Sequence, residues 1–217
     1  MTGGIVKLTG LGAAGLLLTA CGGGGGGNET LRRANELQQY IEIDNRVAAF
    51  ANDELQASEG LPDGEVDYTG FGVVNVDPVS FTRIGDNDGD VSLGIDANVA
   101  KLLGDARLTV DFDDGTLSGE ITNFRDINDL DDDFEEYSGS LELSDGRFGT
   151  IGSAAAIGLD VDGTLEGSAG EIEIDTEIRS PIFGDDGDAL AFFGKDADGA
   201  SVDDDDTPVL VTTVLER

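Results

Sequence analysis

The chain has 217 residues, of which 46 are Asp or Glu and 12 are Lys or Arg, and its net charge is −34. This charge excludes the basic face that nucleic-acid binding requires, and points to either a solvated, salt-adapted surface or a basic partner. The chain has no histidine, so Ser-His-Asp and Cys-His catalysis are excluded. No spacing singles out a carboxylate pair for hydrolysis either, and we expect no enzyme.

Residues 1–20 have the organisation of a secretion signal peptide. Lys7 gives the segment a positively charged N-terminal region, and an apolar run follows from Leu8 to Leu18. The small residues Thr19 and Ala20 then precede a cleavage site. The run is too short and too rich in glycine to cross a bilayer as a helix, which needs ~20 apolar residues.

The sole cysteine of the chain lies directly after this signal. The stretch Leu18-Thr19-Ala20-Cys21 resembles the bacterial lipobox, in which the cysteine is lipidated on sulfur and then acylated on its new amine. The resemblance implies a membrane anchor at Cys21, where several acyl chains bind durably. Residues 21–27 would then be the lipidated cysteine and a flexible glycine tether of roughly 13 Å. Gly22 in place of Asp, by similarity to Gram-negative lipoproteins, implies a lipid-anchored protein of the cell outer membrane, exposed at the surface.

Residues 28–60 show a helical period. Apolar residues recur at steps of three and four, with one interruption at Asp44, and they are Leu31, Ala34, Leu37, Ile41, Ala48, Ala51 and Leu55. Asn28 is a suitable N-cap, and Leu61-Pro62 follows the end of the pattern. We therefore predict an N-terminal α-helix, either packed on the following domain through this stripe or serving as a stalk.

From Gly64 onward the hydrophobic period changes to two, which is typical of strands with one buried face. The pattern predicts eight to nine short antiparallel strands, and inward positions mix Gly, Ala and Ser with larger residues. Such a mixture fills the taper of a small closed barrel, and closure removes exposed strand edges. The predicted fold is mainly β: a single antiparallel eight-stranded β-barrel over residues 61–217, preceded by the α-helix.

Two glycine turns set the predicted hairpins. Asp114-Gly115 predicts a two-residue loop that pairs Phe112 with Leu117 and Val110 with Gly119. The stretch 162–164, Asp-Gly-Thr, predicts a three-residue turn that aligns Val161 with Leu165, and a change of parity before Ile172 predicts a bulge.

The lipobox, the glycine tether, the helix and the glycine-punctuated barrel together resemble the barrel domain of transferrin-binding protein B and of related surface lipoproteins, including factor H-binding protein. Three stretches carry the resemblance: LPDGEVDYTGFG (61–72), ARLTVDFDDGTLSGEITNF (106–124) and ALAFFGKDADG (189–199). The resemblance implies a surface protein that captures a host protein or an iron-bearing ligand, often beside an outer-membrane transporter. Haem is not expected as a tightly bound ligand, because the processed chain would have no His, Met or free Cys. The tyrosines left as axial ligands are Tyr40, Tyr68 and Tyr137, and the last two are predicted to point inward.

Acidic stretches are the remaining candidates for a site. Asp86, Asp88 and Asp90 alternate as oxygen ligands of Ca²⁺ can, but the stretch lacks the glycine and glutamate of an EF-hand, so an ordinary acidic loop is favoured. Residues 126–133 and 203–206 are acidic loops at barrel ends, where a basic protein partner would bind. We expect the barrel to bind a protein or solute, and the resemblance implies a role in iron or nutrient acquisition. The alternatives are a structural or protective surface lipoprotein and a Ca²⁺-responsive acidic surface protein.

Overall fold

In a computed structural model the chain forms one closed β-barrel. The structure describes residues 60–78, 97–127, 135–184, 186–202 and 205–217, together with Gln38, Ile41 and Asn45. The strands are β1 (Glu65–Pro78), β2 (Ala97–Asp111), β3 (Thr116–Asp126), β4 (Ser138–Ile151), β5 (Ala154–Gly167), β6 (Gly170–Phe183), β7 (Ala189–Val202) and β8 (Asp205–Glu216).

Each strand pairs with its sequence neighbours, and β8 pairs back onto β1, so the eight antiparallel strands close in simple sequence order. This confirms the predicted closed barrel. The predicted helix lies outside the described residues except at Gln38, Ile41, Asn45 and Gly60, of which the first three have a helical backbone. A helix over the whole segment therefore stays a prediction. Within the described residues no helix is both long and apolar enough to span a lipid bilayer.

The barrel interior is filled by alternate side chains of every strand. The largest fully buried side chains include Tyr68, Phe124, Leu102, Leu141 and Ile157. Large residues stand against glycines across the interior: a Cβ at Gly72 would meet the side chain of Ile121, and a Cβ at Gly104 would meet both Ile121 and Phe124. The predicted mixture of small and large inward residues is confirmed, and it leaves a packed core.

The predicted register of the β2–β3 hairpin is wrong by two residues. Val110 pairs with Leu117 and Leu108 with Gly119, so the loop has four residues, 112–115. The cause is the Asp111 side chain, whose Oδ1 accepts hydrogen bonds from the backbone N–H groups of Asp113 and Asp114, both at 3.0 Å. Gly115 completes the turn at a φ of +69°. Since side chains alternate with a period of two, a shift of two residues leaves the buried face unchanged.

The predicted turn at residues 162–164 is also wrong, because β5 continues through it to Gly167. Gly163 lies in mid-strand, paired with Leu141 on one side and Ile174 on the other. A Cβ at Gly163 would contact the carbonyl oxygen of Ser140, so this glycine permits a close approach of two strands. The chain turns at Ser168-Ala169, and this two-residue turn produces the parity change that was predicted to be a bulge.

Tyr68 and Tyr137 are 1% and 4% exposed, which confirms that both belong to the core. The Tyr68 hydroxyl donates a hydrogen bond of 2.7 Å to the carbonyl oxygen of Gly187. Burial raises the pKa of Tyr68 from 10.0 to about 12; Arg217 lowers this pKa and Asp188 raises it further. The folded barrel therefore keeps the Tyr68 hydroxyl in its neutral, protonated form.

We expect the barrel to lose stability as the pH rises from 10.0 to about 12, because Tyr68 of the unfolded chain ionises in that interval while the folded chain keeps its proton. Tyr68→Phe should lower the free energy of unfolding at neutral pH by about 1–2 kcal/mol, since it leaves the buried Gly187 carbonyl without its donor. The variant should also show a smaller alkaline loss than the wild type. Urea unfolding at pH 7, 10 and 11 measures both effects, and an equal alkaline loss in the two proteins would contradict this role of Tyr68.

Candidate functional site

The lipobox residues Leu18, Thr19 and Ala20, the anchor residue Cys21 and the acidic positions Asp86, Asp88 and Asp90 lie outside the described residues. Of the acidic loops, the structure describes Asp126, Ile127, Asp205 and Asp206. Because adjacent strands are antiparallel, the β1–β2, β3–β4 and β7–β8 connections all leave from the same end of the barrel. The three acidic stretches therefore belong to one end, which the sequence alone did not establish.

A second acidic feature lies on the outer wall, entirely within described residues. Glu120 of β3 pairs with Glu142 of β4, Glu142 pairs with Asp162 of β5, and Asp162 pairs with Asp175 of β6. All four side chains are exposed on the outside of the barrel. We name Glu120, Glu142, Asp162 and Asp175 the carboxylate row. Since adjacent strands are ~4.8 Å apart, the row extends about 14 Å across the wall.

Like charges directly opposite each other on a sheet are destabilising. Within the described residues none of the four carboxylates of the row forms an ion pair, although Arg107 pairs with Glu120 in the β2–β3 register. The wall has two further carboxylate pairs across β5 and β6, Asp160 with Glu177 and Glu166 with Glu171. The first of these is bridged by Arg147, at 2.9 Å from Asp160 and 3.6 Å from Glu177.

A shallow groove crosses the wall where β3 meets β4. This seam has only three paired positions, Gly119 with Leu143, Glu120 with Glu142, and Ile121 with Leu141. The groove is lined by Arg107, Leu108, Thr109, Ser118, Gly119, Glu120, Ser140, Leu141 and Glu142. Glu120 and Glu142 thus border a groove that is also lined by the exposed Arg107 and by small residues such as Ser118, Gly119 and Ser140.

The chemistry of this arrangement suits a cationic ligand of some length. Each carboxylate is an acceptor for ammonium or guanidinium donors, and such charge-assisted hydrogen bonds are stronger than neutral ones. No three of the described acidic side chains converge as the ligands of a single metal ion would. The carboxylates are instead spread along a line, where several cations spaced along one partner would each meet a carboxylate.

Placing a cation in the row should stabilise the barrel. Asp162→Lys puts an ammonium between Glu142 and Asp175, and we expect the free energy of unfolding to rise by about 0.5–1 kcal/mol at low ionic strength. The gain should shrink in high salt, because exposed charges are screened. Urea unfolding measures it, with Asp114→Lys, an exposed turn residue away from the row, as the control for net charge. An equal gain in both variants would show that the row itself carries no local repulsion.

Sequence reasoning missed the carboxylate row. The alternation in EIEIDTEI (171–178) does indicate one acidic strand face, but a lateral row appears only when the register of four strands is known. The predicted turn at 162–164 removed Asp162 from the wall altogether. No family model, no curated protein and no solved structure matches this chain.

Proposed function

We propose that this protein is a lipid-anchored surface protein of the outer membrane whose barrel wall binds a cationic segment of a partner protein. This proposal rests on the carboxylate row. The row borders a groove and places like charges directly opposite one another, which lowers the stability of the barrel. A basic partner would relieve the repulsion between these carboxylates when it binds, and binding would therefore account for the unfavourable arrangement.

The packed interior favours binding on the outside of the barrel. Ile121, Leu141 and Leu159 are fully buried and belong to the continuous cluster of side chains that fills the barrel. A small solute would have to displace this core, and removing buried side chains from a packed interior costs several kcal/mol. An exposed wall needs no such rearrangement.

The length of the row fits a small number of basic side chains. Alternate side chains of an extended segment are about 6.7 Å apart, so a row of about 14 Å can face two or three of them. Lysine and arginine stems also pack along small residues while their charged heads reach carboxylates. The high net negative charge would speed the encounter with such a partner at low ionic strength.

The anchor is tested by Cys21→Ala. We expect the wild-type protein to partition into the outer membrane and the variant to lose its lipid and appear in the soluble periplasmic fraction, because the acyl chains are the source of membrane affinity. Cell fractionation with detection of the barrel measures the partition. Equal membrane partition of the two proteins would contradict lipid anchoring at this residue.

The binding wall is tested by affinity capture from native medium and from outer-membrane extracts. A row variant carries Glu120→Gln, Glu142→Gln, Asp162→Asn and Asp175→Asn. A matched control carries Asp63→Asn, Glu65→Gln, Asp114→Asn and Asp186→Asn, which are exposed residues at or near the barrel end where β1 starts. We expect the wild type and the control to retain the same basic protein and the row variant to lose it. Retention of that protein by all three, or recovery of nothing, would contradict the proposal.

A further inference from the structure

The half of the barrel opposite the carboxylate row has a buried outer surface. Six outward-facing apolar residues of β1, β2, β7 and β8 are nearly inaccessible: Phe71, Val73, Leu103, Ala189, Leu210 and Val214. We name these six residues the outer apolar face. They alternate with the inward core residues of the same strands, so their side chains lie outside the barrel wall.

Contacts among these residues do not account for their burial. Val73 is 2% exposed and Leu210 is 0% exposed, whereas Glu142 and Asp162 at outward positions of β4 and β5 are exposed. Asn75, a polar residue on the same outward side of β1, is also only 2% exposed. Apart from Gln38, Ile41 and Asn45, the described residues beyond the strands form only short segments at the barrel ends. These exposures are those of a single chain, so another part of this chain covers the face.

Three described residues indicate which segment of the chain covers the outer apolar face. Gln38, Ile41 and Asn45 have a helical backbone, and all three are exposed, with Ile41 at 48%. Their spacing of three and four places them on one side of a helix. The predicted stripe that included Ile41 on the buried side is therefore wrong at that residue. On a continued helix the opposite side presents Tyr40, Ile43, Val47 and Phe50, which recur at steps of three and four.

The connection to the barrel is compatible with this placement. Fourteen residues, 51–64, separate Phe50 from Glu65, the first residue of β1, and this is enough chain for a docked helix to run antiparallel to β1. From Tyr40 to Phe50 a helix rises about 15 Å. From Phe71 to Asn75 the strand extends about 13 Å, so the two apolar surfaces have similar lengths.

We propose that the N-terminal segment docks as a helix on the outer apolar face, through Tyr40, Ile43, Val47 and Phe50. Three observations identify this segment as the one that covers the face. One side of it is exposed, the opposite side is apolar, and the segment precedes β1 in the chain. The docked segment covers β8, β1 and their neighbours, and leaves the carboxylate row uncovered on the other half of the barrel.

Cysteine accessibility tests the docking with little disturbance of the fold. In a Cys21→Ser background, Val47→Cys and Ile41→Cys each place one thiol on a different side of the segment. We expect a maleimide to modify the thiol at position 47 at least about tenfold more slowly than the thiol at 41, because reaction requires the helix to open. Equal rates would overturn the proposal.

A second measurement identifies the occupant. Val47→Asp should lower the melting temperature and open residues 37–51 to hydrogen exchange and proteolysis, and Ile41→Asp should do neither. Val73→Asp should release the same residues, and Thr69→Asp, at an exposed outward position of β1, serves as its control. If Val73→Asp destabilises the barrel while Val47→Asp has no effect, the connection 79–96 covers the face and the proposal fails. A dimer in light scattering that Val73→Asp dissociates, with unchanged exchange in the segment, would assign the face to a second copy and overturn it as well.

Discussion

Gly70→Ala should abolish the fold or lower the free energy of unfolding by about 3 kcal/mol or more, because the new methyl group has no space. Gly70 lies where β1 closes the barrel against β8, paired with Leu215. A Cβ at this position would overlap the backbone carbonyl oxygen of Val214, which cannot turn aside as a flexible side chain can. The strands would have to separate at the seam, and closure depends on that pairing.

Far-UV circular dichroism and urea unfolding measure this effect. The matched control is Gly149→Ala in β4, where a Cβ would meet no atom within 4 Å. We expect the control to change stability by less than about 1 kcal/mol. A folded Gly70→Ala protein with wild-type stability would show that β1 and β8 are farther apart than the structure places them.

Ile121→Ala is expected to lower the free energy of unfolding by about 3–4 kcal/mol, since it removes a fully buried side chain from the centre of the barrel. Gly72→Ala should also destabilise, because its methyl group would lie 2.7 Å from the Ile121 Cδ1 atom. In the double variant the alanine at 72 enters space that the isoleucine has vacated. The double variant should therefore lose less stability than the sum of the two single losses.

A double-mutant cycle by urea unfolding measures this coupling, which we expect to exceed about 1 kcal/mol for residues in direct contact. The control cycle combines Ile121→Ala with Ala100→Gly, a substitution at another buried core residue. We expect the stability losses of this control pair to be additive. Strict additivity for Gly72 and Ile121 would contradict the proposed packing of these two residues against each other.

The fold class was predictable because two physical signals agree along most of the chain. Alternation such as that from Glu171 to Ile178 indicates which side of a strand is buried, and the mixture of glycine with large residues indicates a narrow closed interior. Local register was less predictable. Asp111 uses its side chain to lengthen one turn, and Gly163 permits a close strand approach where its sequence resembles a turn.

The outer surface was the least predictable part. Sequence periodicity placed Ile41 in an apolar stripe that would either pack on the barrel or belong to a stalk, and Ile41 is exposed. A helix with apolar residues on several sides does not reveal which side packs. The carboxylate row joins residues from four strands, and only the pairing of those strands brings Glu120, Glu142, Asp162 and Asp175 into line. Net charge indicated a basic partner or a solvated surface, and it gave no position for the binding site.

The most direct test of the proposed wall is calorimetric titration of an oligolysine peptide into the full-length protein. We expect the wild type and the matched control to bind at low ionic strength with an affinity that weakens toward physiological salt, since exposed charge pairs are screened. The row variant should bind at least about tenfold more weakly than the control, although both have lost four negative charges. Equal affinities of the row variant and the control would contradict the claim that the carboxylate row is the cation-binding site.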